Sequence, residues 1–111
     1  MYIPVYEESV ENPTMKNDPT ENICKLSMFD ETYFRGESQE ITGEVEILDF
    51  KTINFDDSIA SLKIEGNCCW SFFTEKNLKG SKLTLGEGEY KSATQIRDIY
   101  KRAKSATQHR C

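Results

Sequence analysis

Phe29-Asp30-Glu31-Thr32-Tyr33-Phe34-Arg35-Gly36 returns 44 residues later as Phe73-Thr74-Glu75-Lys76-Asn77-Leu78-Lys79-Gly80. The same shift lays Cys24 over Cys68, Ser27 over Ser71 and Ser61 over Ser105, and sets Met28 against Phe72. At a shift of 43, Gly43-Glu44-Val45-Glu46 falls over Gly86-Glu87-Gly88-Glu89. Self-similarity at a fixed period marks a duplicated supersecondary unit, in which stacked copies bury a continuous core. Each unit reads as an aromatic strand, a turn, a strand, a Gly-Glu segment, a loop and a last strand. Two units fit the chain.

The local pattern around these segments is β. Leu26 and Met28 alternate with Lys25 and Ser27, Trp70 and Phe72 with Cys69 and Ser71, Leu62 and Ile64 with Ser61 and Lys63, Leu83 and Leu85 with Lys82 and Thr84. A period of two predicts half-buried strands. The rival segment is Thr94–Lys104, where Ile96, Ile99, Tyr100 and Ala103 line a helical face; a short helical turn inside an inter-strand loop satisfies that spacing. Short strands in two similar units predict an all-β fold, two Greek keys packed as a β-sandwich. The first key covers about 24–66 and the second about 67–109, and residues 24–111 are long enough for one small core.

The 111 residues carry a net charge of -5, unevenly spread. Residues 1–60 hold 14 acids and 4 bases, residues 61–111 hold 5 acids and 10 bases. An acidic chain argues against a dedicated nucleic-acid binder. No apolar run reaches the roughly 18 residues that span a bilayer, and MYIPVYEESVEN has neither a basic nor an apolar leader region. All three prolines lie in the first 19 residues and all six glycines after residue 35, so residues 1–23 read as an acidic, flexible extension. Within it Tyr2, Ile3, Val5 and Tyr6 alternate around Pro4, an arm (residues 2–6) suited to self-association.

The four cysteines are Cys24, Cys68, Cys69 and Cys111. Four thiols allow three pairings, and spacing does not choose among them. Adjacent Cys68 and Cys69 are poorly placed to share a tetrahedral metal. Without a leader, the expectation is a cytoplasmic protein with free thiols, Cys111 at the chain end being the one most open to an intermolecular bridge.

The repeat resembles the Greek-key motif of the βγ-crystallins: an aromatic, four residues, a second aromatic, one residue, then glycine. Phe29, Phe34 and Gly36 match it fully. Phe73 and Gly80 match with Leu78 in place of the second aromatic. The resemblance implies that the glycine permits a folded-over hairpin, that Trp70 is a core tryptophan, and that Gly88-Glu89-Tyr90 forms a tyrosine corner. Many members bind calcium through Asn/Asp-Asn/Asp-x-x-Ser/Thr-Ser, with the two motifs exchanging ligands. The matching stretches are Asp56-Asp57-Ser58-Ile59-Ala60-Ser61 and Tyr100-Lys101-Arg102-Ala103-Lys104-Ser105. Ala60 offers no oxygen, Tyr100 and Lys101 replace both acids, and Lys104 replaces a hydroxyl. Calcium takes six to eight oxygens. If the exchange holds, Asp57 faces Lys104 and Lys101 faces Ala60, so calcium binding is expected to be weak or absent, with an Asp57–Lys104 ion pair in its place.

Nucleophilic catalysis finds little support. The single histidine, His109, lies in the terminal His-Arg-Cys segment, and the Glu pairs 44/46 and 87/89 read as a solvated face. The reading is a non-enzymatic, crystallin-like structural or stress-related protein with degenerate calcium sites. The alternatives are a secreted interaction protein (toxin-like, antimicrobial or inhibitory) on the same fold, or a weak calcium binder. Ala106 and Gln108 stand where the first unit has Leu62 and Ile64, which predicts a labile C-terminal edge strand.

Overall fold

The computed structural model describes residues 24–43 and 45–111. The proposed arm of residues 2–6, the acidic stretch of 7–23 and Glu44 lie outside the described residues.

Alternation becomes eight strands: β1 (Lys25–Glu31), β2 (Arg35–Thr42), β3 (Glu46–Ile47), β4 (Ser61–Glu65), β5 (Cys69–Glu75), β6 (Lys79–Leu85), β7 (Gly88–Tyr90) and β8 (Ser105–His109). They form two four-stranded antiparallel sheets, ordered β2-β1-β4-β7 and β3-β8-β5-β6. Each sheet takes three strands from one repeat and a short strand from the other. The two units therefore cannot separate without breaking both sheets.

One face of each sheet is closed against the other. Leu26, Met28, Leu62 and Ile64 from the first sheet meet Trp70, Phe72 and Ala106 from the second, all at or below 1% exposure. The long loops close the ends of this core. A 3-10 turn, Phe50–Ile53, buries Phe50, and its N-cap Asp49 accepts a hydrogen bond from the Lys51 N–H. The Thr94–Lys104 stretch is no α-helix: a 3-10 turn at Ala93–Gln95 leads into turns that bury Ile96, Ile99 and Ala103. Its apolar spacing marks core contact.

The hairpins explain the repeated glycines. Both adopt left-handed backbone at Tyr33-Phe34 and Asn77-Leu78, followed by Gly36 (φ 82) and Gly80 (φ 87). A Cβ on Gly36 would collide with the Asp30 carboxylate, and one on Gly80 with the Thr74 hydroxyl. Those side chains lie over the turn because each accepts from the backbone one residue on, Asp30 Oδ1 from Glu37 N at 2.8 Å and Thr74 Oγ1 from Ser81 N at 2.9 Å.

Two sequence expectations are corrected. The cysteines are not free: Cys24 bonds Cys68 and Cys69 bonds Cys111, so Cys111 is not available for an intermolecular bridge. Adjacent Cys68 and Cys69 do not compete, because one lies at the core end beside Trp70 and the other starts β5. The C-terminal strand is also not an edge. β8 lies between β3 and β5, Ala106 is fully buried, and the Cys69–Cys111 bridge ties down the chain beyond it. A small side chain there reflects a crowded interior position.

Candidate functional site

The hydrogen bonds repeat with the sequence. Ser61 Oγ accepts from Phe34 N at 3.0 Å and donates to Glu31 O at 2.6 Å; Ser105 Oγ accepts from Leu78 N at 3.0 Å and donates to Glu75 O at 2.6 Å. Both serines are fully buried. Each welds its own hairpin to the loop before its own strand, satisfying two backbone groups that have left the ladder. The match of Ser61 with Ser105 was visible in the repeat. Their clamping role was not, because it needs the hairpin folded back over them.

Between the clamps the two loops cross. Asp57 N donates to Ala103 O at 3.2 Å and Lys101 N to Ile59 O at 2.7 Å, so each loop's second position pairs with the other loop's fourth. Asp57 (φ 54) and Lys101 (φ 55) share the left-handed conformation. This arrangement brings Asp56, Asp57 and Lys104 together. Lys104 Nζ lies 2.8 Å from Asp57 Oδ2 and 3.3 Å from Asp56 Oδ2. The Asp57 hydrogen bond, helped by the Asp56 one, holds the Lys104 ammonium above the ordinary lysine value against the opposing effect of desolvation. Asp56 Oδ1 is buried without a protein partner. In the twin loop Lys101 Nζ donates to Asp30 O at 2.7 Å, and Ala60, fully buried, has no side-chain oxygen to offer.

These two places do not fit calcium. One carries two carboxylates with an ammonium already between them, and the other carries an ammonium on a carbonyl oxygen. Among the described residues no group of three or more His, Cys, Asp or Glu side chains is arranged to hold a metal ion.

Trp70 is fully buried, and its indole N–H points at the Cys24 sulfur 3.2 Å away. Tyr90 donates its phenol to Gly86 O at 2.8 Å across the β6–β7 turn. Phe29 and Phe34 pack edge to face at 5.7 Å, with Lys63 Nζ 4.6 Å from the Phe34 ring centre. Phe73 has only Leu78 in the corresponding place.

Residues 25–107 match the Beta/Gamma crystallin family. The chain belongs to that family. Its sandwich is similar to a solved βγ-crystallin from an archaeon, with 25% identity and a TM-score of 0.69 over 79% of this chain and 100% of that one. It is also similar to the beta gamma crystallin of Ciona intestinalis, with 20% identity and a TM-score of 0.64 over 77% and 99%. The N-terminal domain of protein S shares 9% identity at a TM-score of 0.67, over 78% and 96%. No curated protein matches the chain in sequence. These crystallin likenesses concern the fold.

One contact on this crystallin sandwich has the look of chemistry. Ser71 Oγ is 2.9 Å from His109 Nε2 and 2.8 Å from Thr84 Oγ1, and His109 Nδ1 is 2.9 Å from Arg110 O. With Nδ1 donating to that carbonyl, Nε2 accepts the Ser71 proton. A nucleophile also needs an approach for substrate and donors for the oxyanion. Ser71 is 5% exposed and sits mid-strand in β5. The open hollow of about 500 Å3 near the disulfides is lined by Asn67, Gln108, Arg110, Cys24, Cys68 and Cys111, without Ser71 or His109. The trio joins β6, β5 and β8 across the outer face of the second sheet.

Proposed function

We propose that the chain is a non-enzymatic structural protein whose two crossed loops carry lysine ammoniums where calcium-binding relatives carry the ion. The observation behind this reading is Lys104 Nζ at 2.8 Å from Asp57 and 3.3 Å from Asp56, with Lys101 Nζ on Asp30 O in the twin loop. A tethered ammonium supplies positive charge at no loss of translational freedom and needs no free calcium, so the two loops stay joined at any calcium concentration.

Two intrachain disulfides support a second element of the proposal, residence in an oxidising compartment. That setting also suits the alternative of a secreted interaction protein, which the basic loop residues Arg97, Lys101 and Arg102 would serve. Exposed basic residues are ordinarily a solvated face, which favours the structural role.

The test is calorimetric titration of the metal-free protein with calcium, together with melting curves with and without the ion. The expected result is no heat and no change in Tm up to about millimolar calcium, the weak end of protein sites. Micromolar binding with a rise in Tm would overturn the reading. Alkylation of the native, unreduced protein followed by mass measurement checks the compartment argument, which predicts no added mass.

A further inference from the structure

We propose that copies of this chain associate head to tail, the β2 edge of one molecule pairing with the β6 edge of the next. Each sheet has one short edge and one long one. β7 and β3 are three and two residues long, whereas β2 and β6 run for eight and seven. Both long strands have a neighbour on one side only among the described residues. Long unpaired edges expose backbone donors and acceptors and template further pairing unless something blocks them.

Charge is the usual block, and here it is asymmetric. β2 presents Glu37 and Glu40 along its length with Arg35 at its start, and β6 presents Lys79 and Lys82, all exposed. Pairing β2 with its own copy sets Glu37 and Glu40 against each other, and pairing β6 with its own copy does the same to Lys79 and Lys82. Like charges directly opposite disfavour a pair, and opposite charges favour it. Like-edge pairing in those registers is therefore disfavoured, while the mixed pair is not.

The spacing carries the argument further. Glu37 and Glu40 are three residues apart, as are Lys79 and Lys82. An antiparallel register that sets Glu37 opposite Lys82 also sets Glu40 opposite Lys79. The same register puts Ser38 opposite Ser81 and Gln39 opposite Gly80. Glu40 has an intramolecular partner in Lys25 at 3.4 Å but remains 61% exposed, so it is open to a second cation. The two edges belong to different sheets of one molecule, so the contact is heterologous and each molecule keeps one edge of each kind for a further neighbour. The assembly grows head to tail with concentration and dissolves in salt.

Sedimentation of the full 111-residue protein tests this, from about 10 µM to 1 mM at roughly 20 mM and 500 mM salt, where the Debye length falls severalfold. The expected result is a mean mass that climbs past twice the monomer at low salt and returns to the monomer at high salt. The E37K/E40K and K79E/K82E variants, each checked by circular dichroism, should stay monomeric alone. An equimolar mixture of the two should assemble, since each then meets an edge of opposite charge. Recovery on mixing cannot come from a misfolded variant. A pure protein that is monomeric throughout, whether or not another protein pairs with these edges, overturns the proposal, as does a salt-insensitive dimer that both variants retain.

Discussion

The Lys104 ammonium lies 2.8 Å from the Asp57 carboxylate, joining the last loop of the second Greek key to the last loop of the first. Asp57 holds the left-handed backbone that turns its carboxylate toward the crossing. The pair therefore spans the two halves of the duplication.

That ion pair has a pH signature. Lys104 titrates above the ordinary lysine value, chiefly because of its Asp57 hydrogen bond. A group whose folded pKa is raised contributes stability fully below its unfolded pKa and loses it as pH climbs through the folded value. The Tm difference between wild type and K104A should be constant from neutral pH to about 10 and should narrow above it. A difference that stays fixed through the alkaline range would remove the ion pair from the account.

Replacing the ammonium should let calcium in. K104S gives Asp56 and Asp57 a neighbouring hydroxyl at the fifth position of the second loop, and it removes the competing charge. The variant should be less stable than wild type without calcium and should gain Tm as calcium is added at millimolar concentration, while wild type does not respond. Equal indifference in both proteins would mean that the loop lacks other oxygens the ion needs.

The buried serines should outweigh their size. Ser61→Ala and Ser105→Ala each leave a backbone N–H and a carbonyl without their partner at a fully buried position. Such losses cost about 1–3 kcal/mol each. Denaturant unfolding of both variants should give similar losses because the two clamps are geometrically alike, and a surface serine such as Ser38 changed to Ala should give almost none.

Gly36 and Gly43 offer a matched comparison. Both have positive φ, 82 and 91, but a Cβ at Gly43 meets nothing within 4 Å, whereas one at Gly36 collides with Asp30. Gly43→Ala should cost about 1–2 kcal/mol, the backbone strain alone. Gly36→Ala should cost measurably more in the same unfolding experiment, because Asp30 must also give up the Glu37 N–H.

The disulfides should contribute comparably. They close loops of 44 and 42 residues, for which chain-entropy arguments give about 4 kcal/mol each, within a typical 2–5 kcal/mol. Serine pairs at Cys24/Cys68 and at Cys69/Cys111 should therefore lower stability by similar amounts. Only the first pair should also change Trp70 fluorescence, since the indole N–H lies 3.2 Å from the Cys24 sulfur.

The repeat made the architecture readable because β structure writes itself locally. Alternation of Leu26 and Met28, or of Trp70 and Phe72, follows from the two-residue period of a strand with one face buried. The glycine at the end of each aromatic segment reported a collision that any side chain would cause. The duplication meant that whatever was true of one unit held near the same offset in the other. Tyr90 and Trp70 were found through the same family pattern.

Other features had no local trace. Cysteine pairing depends on which strand ends meet, and four thiols look alike in a sequence. The swap of β3 and β7 between sheets made β8 an interior strand, although Ala106 and Gln108 lack the apolar bulk of Leu62 and Ile64. The Ser71–His109 contact joins residues 38 apart because β5 and β8 are neighbours. Thus the sequence alone determined that this is a duplicated Greek-key chain with lysines and an alanine at the positions where a calcium motif needs oxygens. Tertiary structure alone decided that the cysteines are bridged, that Lys104 reaches both aspartates while Lys101 turns to the Asp30 carbonyl, and which strands lie at the sheet edges among the described residues. The reason is range: periodicity and side-chain chemistry act within a few residues, whereas pairings 40 or more residues apart are settled only by the way the two sheets close on each other.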